Sequence, residues 1–387
     1  MSKQKKLIIG VSYEGSVNLL EGQMTYFKGL GYKTYLLSPK GPRAEKYCQN
    51  EHCELIPIAI EREISLFSDL INLFRIIYIF LKYKPDIVNL GTPKVALLGL
   101  IAAKITGVKR RIYTCRGFRF EHESGMKRRI LVLMEKITGY CSQRVICISP
   151  SVEKFALENN LFPKVKTLVI NYGSSNGVNL NLFNDKNITE NQKNNLKQDL
   201  KLLDKFIFGF VGRLADRKGI KELVDTFLEI YKSNDTTRLL IVGPIENSQI
   251  KDIRIIETLK NHPGIIFTGN KLLQEIPLYM SIIDVFVLPA WWEGFGNVLV
   301  QSAAMKVPVI TTDATGTRDA VSHDYNGIII PKYDTKELKK AMLRLYEDKA
   351  LRERFGENGI IWSSNFNNKI IWEGMNNIYL DKNLKQS

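Results

Sequence analysis

The chain has 387 residues, 44% of them hydrophobic and 25% charged, and its basic residues outnumber its acidic ones by 15. That is the balance of a globular protein with apolar material for more than one core, and it excludes intrinsic disorder, a collagen-like fibre and a disulfide-stapled miniprotein. A positive excess of this size calls for an anionic partner: nucleic acid, anionic lipid or a phosphorylated substrate.

The first residues, MSKQKKLIIGVS, are basic and then apolar for too short a run to be a signal segment, and they read as a first β-strand. Strand-like runs follow at 33–37, 54–58, 87–90, 111–114, 144–148 and 167–170, with helix-period stretches between them, as at 65–83 and 127–137. This alternation predicts βαβ units, and continuous apolar runs such as LIIGV predict a parallel sheet buried on both faces. No window holds the roughly 20 uninterrupted apolar residues of a spanning helix. The chain is therefore expected in the cytoplasm, within reach of the inner face of the cell membrane. The stretch from Ile64 to Tyr83, with Phe67, Phe74, Tyr78 and Phe80, and the run KRRILVLMEKI, with Ile130, Leu131, Leu133 and Met134, are amphipathic. Each reads either as a core-facing helix or as an interfacial one.

The five cysteines are odd in number, and although Cys48 and Cys53 flank His52, no second ligand pair follows. They read as reduced structural thiols, and no metal site is expected.

Residues 176–204 are rich in Asn, Asp and Lys with little apolar periodicity, and read as a polar linker. Beyond it the alternation restarts, with strand-like runs at 206–211, 238–242, 264–267, 285–288, 308–311 and 327–330. The expected architecture is α/β: two doubly wound Rossmann-like halves, with a ligand in the crevice at the carboxyl ends of their strands.

Three motifs stand out. The run FIFGFVGRLADRKGIKELVDTF carries a strand into Gly212-Arg213, a short loop, and Lys218-Gly219 at the start of a helix. Two cations there read as a diphosphate clamp, Arg213 offering a planar fork and Lys218 a compact charge, or else as a solvated loop. The run VFVLPAWWEGFGNVLVQSAAMK ends a strand at Pro289 and delivers Glu293, Gly294, Phe295 and Gly296 ahead of a helix. Its glycines admit close approach to a ligand, and the helix start offers free N–H groups to an anion. Gln301 lies eight residues after Glu293, about two helical turns, so that both are expected to face one crevice. The loop after the first strand contains Gly15-Ser16, and a polar loop near the middle of the first half holds Glu121 and His122. Glu121 is the candidate for an acceptor contact, and His122 reads as a solvated loop residue or a base.

On these residues the second half resembles the donor domain of the retaining glycosyltransferases of family 4, which have the GT-B architecture of two Rossmann-like domains facing across a crevice. The family pattern is met by Gly212-Arg213, Lys218-Gly219 and Glu293-Gly294-Phe295-Gly296-Asn297, with Gln301 where the family carries a second Glu that holds a ribose. RIYTCRGFRFEHESGMKRRILVLMEK, VICISPSVEKFA and NYGSSNGVNLNLF resemble first-domain segments of bacterial capsule and O-antigen enzymes. Many relatives carry His-Gly where this chain has Arg116-Gly117; the His role is not transferred, and Arg116 is left to bind an anionic group on donor or acceptor.

The resemblance implies retaining, metal-independent transfer of a sugar from a nucleotide diphosphate donor, UDP above others, to an undecaprenyl-type lipid-linked saccharide. Arg213, Lys218 and Glu293 are then the catalytic candidates. Gly212, Gly294, Phe295, Gly296, Asn297, Val298 and Gln301 are the donor-binding candidates, and Gly15, Ser16, Arg116 and Glu121 would touch acceptor or sugar. It further implies an acceptor-binding domain over 1–175, a donor domain over 205–364, and a helix within 365–387 that crosses back to the first domain. No cofactor is expected. Two other readings stay open: a catalytically impaired nucleotide-binding partner of the same fold, and a basic nucleic-acid-binding protein. The second is disfavoured by scattered basic residues and the lack of a recognised module.

Overall fold

The computed structural model describes residues 4–61 and 65–381, with the side chains of Leu66, Arg119 and His122 excluded. Ile64 and the side-chain role considered for His122 therefore lie outside the described residues. The chain forms two compact units, one from residues up to Asn176 together with those from Lys369 on, the other from Gly177–Asn368.

The first unit is built on seven strands: β1 (Lys6–Gly10), β2 (Lys33–Ser38), β3 (Glu54–Pro57), β4 (Ile87–Leu90), β5 (Arg110–Cys115), β6 (Arg144–Cys147) and β7 (Thr167–Leu168). All neighbours are parallel, in the order β3-β2-β1-β4-β5-β6-β7. The second unit has β8 (Phe206–Val211), β9 (Thr237–Val242), β10 (Ile265–Gly269), β11 (Val285–Leu288), β12 (Val309–Thr312) and β13 (Gly327–Ile330), parallel in the order β10-β9-β8-β11-β12-β13. Both sheets are doubly wound Rossmann-like sheets. In each, the order reverses between two central neighbours, β1 and β4 in one and β8 and β11 in the other. Loops leaving the carboxyl ends of such a pair diverge and open a ligand-binding notch.

The strands are apolar on both faces because helices cover both. Leu7, Ile8 and Ile9 in β1 and Ile207, Phe208 and Phe210 in β8 are all buried. Residues 177–204 are not a free linker. They belong to the second unit and carry a helix, Glu190–Asp199, closed by a capping box between Thr189 and Gln192. That helix buries none of its side chains, so it has no apolar stripe to announce it. Val178, Phe183 and Leu202 anchor the segment on either side.

The last helix, Asn368–Tyr379, packs Ile371, Met375, Ile378 and Tyr379 into the core of the first unit beside Leu7, Ile9 and Phe27. Trp372 Nε1 donates to Asn176 Oδ1 at 2.6 Å, and Asn89 Nδ2 donates to Tyr379 Oη at 2.7 Å.

The helix Leu66–Tyr83 faces the core along one side only. Ile76 and Phe80 enter the core, while Phe67, Phe74 and Tyr78, at 79%, 62% and 65% exposure, continue with Leu70, Ile71 and Leu81 along the opposite face. The helix Gly125–Cys141 exposes Ile130 and Leu133, whereas Leu131 turns inward against the core instead of toward solvent.

Candidate active site

In the second unit the switch point brings together the loop after β8 and the loop after β11. Lys218 Nζ pairs with Glu293 Oε1, and Arg217 Nη1 reaches the same oxygen at 3.0 Å. The three side chains are largely enclosed, Lys218 at 13% and Glu293 at 15% exposure. No hydrogen bond among the described residues engages Glu293 Oε2. Backbone contacts fix the two loops on each other: Trp291 N donates to Arg217 O at 2.8 Å, and Glu293 N donates to Thr315 O at 3.1 Å. Gly219 sits at φ +69°, where an added Cβ would collide with the Pro289 carbonyl, so the helix Ile220–Tyr231 can start this close to β11 only from glycine. Arg217 also stacks over Trp292, its Cζ 4.9 Å from the ring centre.

Arg213 takes a different partner. Its Nη1 pairs with Glu246 Oε1, in the loop after β9, which a short bridge between Leu214 and Ile245 holds alongside. Arg213 is nonetheless close enough to Lys218 and Glu293 to act on the charge of both. Burial pulls the Lys218 ammonium below its ordinary pKa against the opposing pull of Glu293, with Arg217 adding to the fall. Burial pushes Glu293 up, but Lys218 and Arg217 outweigh it and hold the carboxyl below its ordinary value. Three cations thus stand at one notch against two carboxylates, which leaves one positive charge unbalanced to attract an anionic ligand.

Gly294, Phe295 and Gly296 follow. Phe295 is buried against Phe366 with ring centres 5.2 Å apart, which pins the loop. Gly296, at φ +80°, turns the chain into the helix Asn297–Ala304. Because residues 289–296 are not helical, Glu293 and Gln301 are not related by two helical turns, and the spacing argument from the sequence does not hold. What Gln301 does share is the outward helix face with Asn297 and Val298, all half-buried, while Leu299, Val300, Ser302 and Ala303 face the core. Gly212 closes β8, its N–H donating to Val242 O at 2.9 Å.

In the first unit, Arg116 follows β5 and donates from Nη1 to the Gly91 carbonyl at 2.7 Å, at the end of the adjacent β4. Its Nε is buried without a hydrogen-bond partner, and burial lowers its pKa to about 10. Gly15 and Ser16 lie in the 3-10 turn Glu14–Leu20 after β1, and Ser12 N donates to Thr92 Oγ1 at 2.8 Å, which ties that loop to the one after β4. Glu121 lies in a further 3-10 turn, Arg119–His122, flanked by buried Phe118 and Phe120.

Sequence reasoning missed Arg217 and Glu246. Arg217 adjoins Lys218, and its role depends on which way the loop after β8 turns. Glu246 is legible only once β9 is known to neighbour β8.

The family described as Glycosyl transferases group 1 matches residues 191–362, and that described as Glycosyl transferase 4-like matches residues 11–149. The chain is 36% identical over 378 residues, 97% of each chain, to the capsular polysaccharide biosynthesis glycosyltransferase CapM of Staphylococcus aureus. It is 28% identical to an Escherichia coli UDP-Gal:alpha-D-GlcNAc-diphosphoundecaprenol alpha-1,3-galactosyltransferase, over 80% of this chain and 77% of that one. Among solved structures, HepE of Anabaena in complex with UDP superimposes with a TM-score of 0.81 at 18% identity, covering 98% of this chain and all of that one. A glycosyltransferase from Rickettsia africae gives the same TM-score at 21% identity, covering 99% of this chain. These likenesses place the fold as GT-B.

Proposed function

The chain belongs to the group 1 glycosyl transferases, and on that premise we propose that it is a retaining, metal-independent enzyme. It moves a sugar from a UDP-sugar to an undecaprenyl-type lipid-linked saccharide in capsule or related surface polysaccharide biosynthesis. The observation that carries the reading is the Arg217–Lys218–Glu293 cluster with Arg213 beside it, at the switch point of the second sheet. The names of the Staphylococcus aureus and Escherichia coli relatives support the pathway and the acceptor class.

In this reading the bond from the anomeric carbon to the diphosphate breaks while the acceptor hydroxyl attacks on the same face. The acceptor proton passes to a phosphate oxygen, and UDP leaves. Arg213 and Lys218 stabilise the charge that grows on the diphosphate, each by about 2–4 kcal/mol in the transition state. Glu293, held ionised and oriented through Oε1, offers Oε2 to sugar hydroxyls. Gly212 and residues Gly294 to Val298 line the nucleotide, and Gln301 holds the ribose. Arg116, Gly15, Ser16 and Glu121 serve acceptor or sugar, Arg116 by pairing an anionic group.

We further propose that the enzyme works on the cytoplasmic face of the cell membrane. Among the described residues no helix is long and apolar enough to cross a membrane. The exposed apolar stripe of the helix Leu66–Tyr83, with Arg75 and Lys82 beside it, suits an interfacial position.

Incubation with a panel of nucleotide sugars and undecaprenyl diphosphate-linked saccharides tests the reading. UDP release coupled to sugar transfer, with the anomeric configuration kept and the rate unchanged by a chelator, is expected. Tight binding of NAD or DNA without affinity for any nucleoside diphosphate would sink it.

A further inference from the structure

At the amino ends of β5, β6 and β7, a cavity of about 520 Å³ is lined by Arg110, Arg111, Arg144 and Lys166 together with Tyr140 and Asp381. Arg116 and the loop after β1 stand at the carboxyl ends of their strands, so this cavity occupies the opposite end of the first sheet. A further cation stands near the lining: Lys104 Nζ lies 3.5 Å from the centre of the Tyr140 ring.

Part of this charge has a structural task. The helix Gly125–Cys141 ends here, and Lys166 Nζ takes the carbonyls of Gly139, Tyr140 and Ser142 at 3.0, 3.1 and 2.8 Å. Arg111 takes those of Cys141 and Val108 at 2.9 and 2.8 Å. A helix C-terminus carries about half a negative charge. Among the described lining residues the one carboxylate is Asp381, 2.7 Å from Arg110. The four lining cations therefore face about one and a half negative charges. The surplus is felt locally, since burial and then Lys104 and Arg111 pull Lys166 below its ordinary pKa.

We infer that this cavity is a second anion-binding site, which takes a phosphate-bearing ligand through Arg110, Arg111 and Arg144, with Lys166 contributing charge while its three N–H groups stay on backbone carbonyls. The backbone carbonyls hold Arg111 and Lys166 in place before any ligand arrives, so little ordering is lost on binding. The planar arginine forks suit phosphate oxygens, and the Lys166 charge adds to the local positive field. Ile112, Val165 and Ile378 complete the wall, so the ligand carries an organic portion beside its phosphate. That ligand is either a soluble phosphate ester or a phospholipid headgroup. The inference does not depend on the catalytic reading of the second unit.

The test is binding of the whole protein to two probes: inorganic pyrophosphate by calorimetry, and phosphatidylglycerol–phosphatidylcholine vesicles by flotation, with pure phosphatidylcholine as control. Arg110→Gln combined with Arg144→Gln is expected to weaken binding by about tenfold or more, the loss of two charge-assisted contacts. Asp381→Asn, which removes the competing carboxylate, is expected to tighten it. A loss seen with pyrophosphate assigns a soluble ligand, and a loss seen with vesicles alone assigns a lipid headgroup. The site is overturned if the double variant, melting at the wild-type temperature, binds both probes as the wild type does. Should the double variant not fold, failure of Asp381→Asn to tighten either probe overturns it.

Discussion

Lys218 and Glu293 form a largely enclosed ion pair between the loops that leave β8 and β11, the two strands at which the order of the second sheet reverses. The pair sets a pH range for whatever the notch does. Because burial lowers the Lys218 pKa from 10.5, turnover in the wild type should fall on the alkaline side through a pKa below that value. Lys218→Arg keeps its charge throughout, so this limb should vanish. On the acid side Glu293 stays ionised to below 4.5. Lys218→Ala leaves burial opposed chiefly by Arg217, so the Glu293 pKa should rise and the acid limb move upward. For stability the signs differ. The depressed Glu293 contributes stability above its unfolded pKa that is lost as pH falls through the folded one. The lowered Lys218 opposes folding at neutral pH, an effect relieved as pH rises toward 10.5. Coincident pH–rate profiles for the wild type and both variants would show that the pair does not govern the reaction.

Arg213→Ala and Lys218→Ala should each lower turnover by about a hundredfold or more with the fold intact, because both remove charge that is needed most as the diphosphate departs. Glu246→Gln should do less. It frees Arg213 from its carboxylate without removing the cation, so donor affinity should hold or improve. Steady-state kinetics on the three variants separates a clamp from a solvated loop, for which all three would behave alike.

The apolar stripe makes a prediction about place instead of chemistry. Exposed Phe74 and Tyr78 lie four residues apart on one face of the helix Leu66–Tyr83. Burying an aromatic side chain contributes about 1.5–3 kcal/mol. Replacing both with Asp should therefore reduce vesicle binding by about tenfold or more. Transfer to a water-soluble acceptor analogue should continue, and unchanged vesicle binding would move the membrane surface elsewhere.

The last helix predicts a stability effect. Met375 is buried in the core of the first unit among Leu7, Ile9 and Phe27, although its helix follows the whole second unit in sequence. Met375→Ala should destabilise that unit by about 2–5 kcal/mol through the cavity it leaves. Thermal unfolding followed by a probe in the first unit checks this; an unchanged transition would mean the helix is not part of its core.

The strands were legible because a sheet buried on both faces needs continuous apolar runs, which turn residues interrupt in a readable way. Runs such as FIFGFV over β8 and VFVL over β11 coincide with the observed strands. The helix Glu190–Asp199 was not legible, since Leu196 is its one apolar residue and only Thr189 and Gln192 mark its start. In the site, glycines and charges at strand ends stood out, but their pairings did not. That Lys218 pairs with Glu293 while Arg213 pairs with Glu246 follows from strand order, with β8 between β9 and β11. Leu131 looked like its exposed neighbours because a one-dimensional run does not reveal which helix face meets the sheet.

Gln301 and Glu293 should separate most sharply under kinetics. Gln301 lies on the outward face of the helix Asn297–Ala304, away from the ion cluster's own contacts. If it holds the ribose, Gln301→Ala should weaken donor binding by about 1–2 kcal/mol, the scale of one hydrogen bond to a partly buried diol. The ribose does not change charge during transfer and is bound equally in ground and transition states, so the loss should appear in the donor KM. In the proposed mechanism Glu293→Ala removes the carboxylate offered to the sugar, and it also strips Lys218 and Arg217 of their partner, so kcat itself should fall. Gln301→Glu should be tolerated and tighten the donor if the ribose hydroxyls donate to that position. A Gln301→Ala enzyme with unchanged donor KM and a kcat as low as that of Glu293→Ala would move Gln301 from the ribose to the reacting centre.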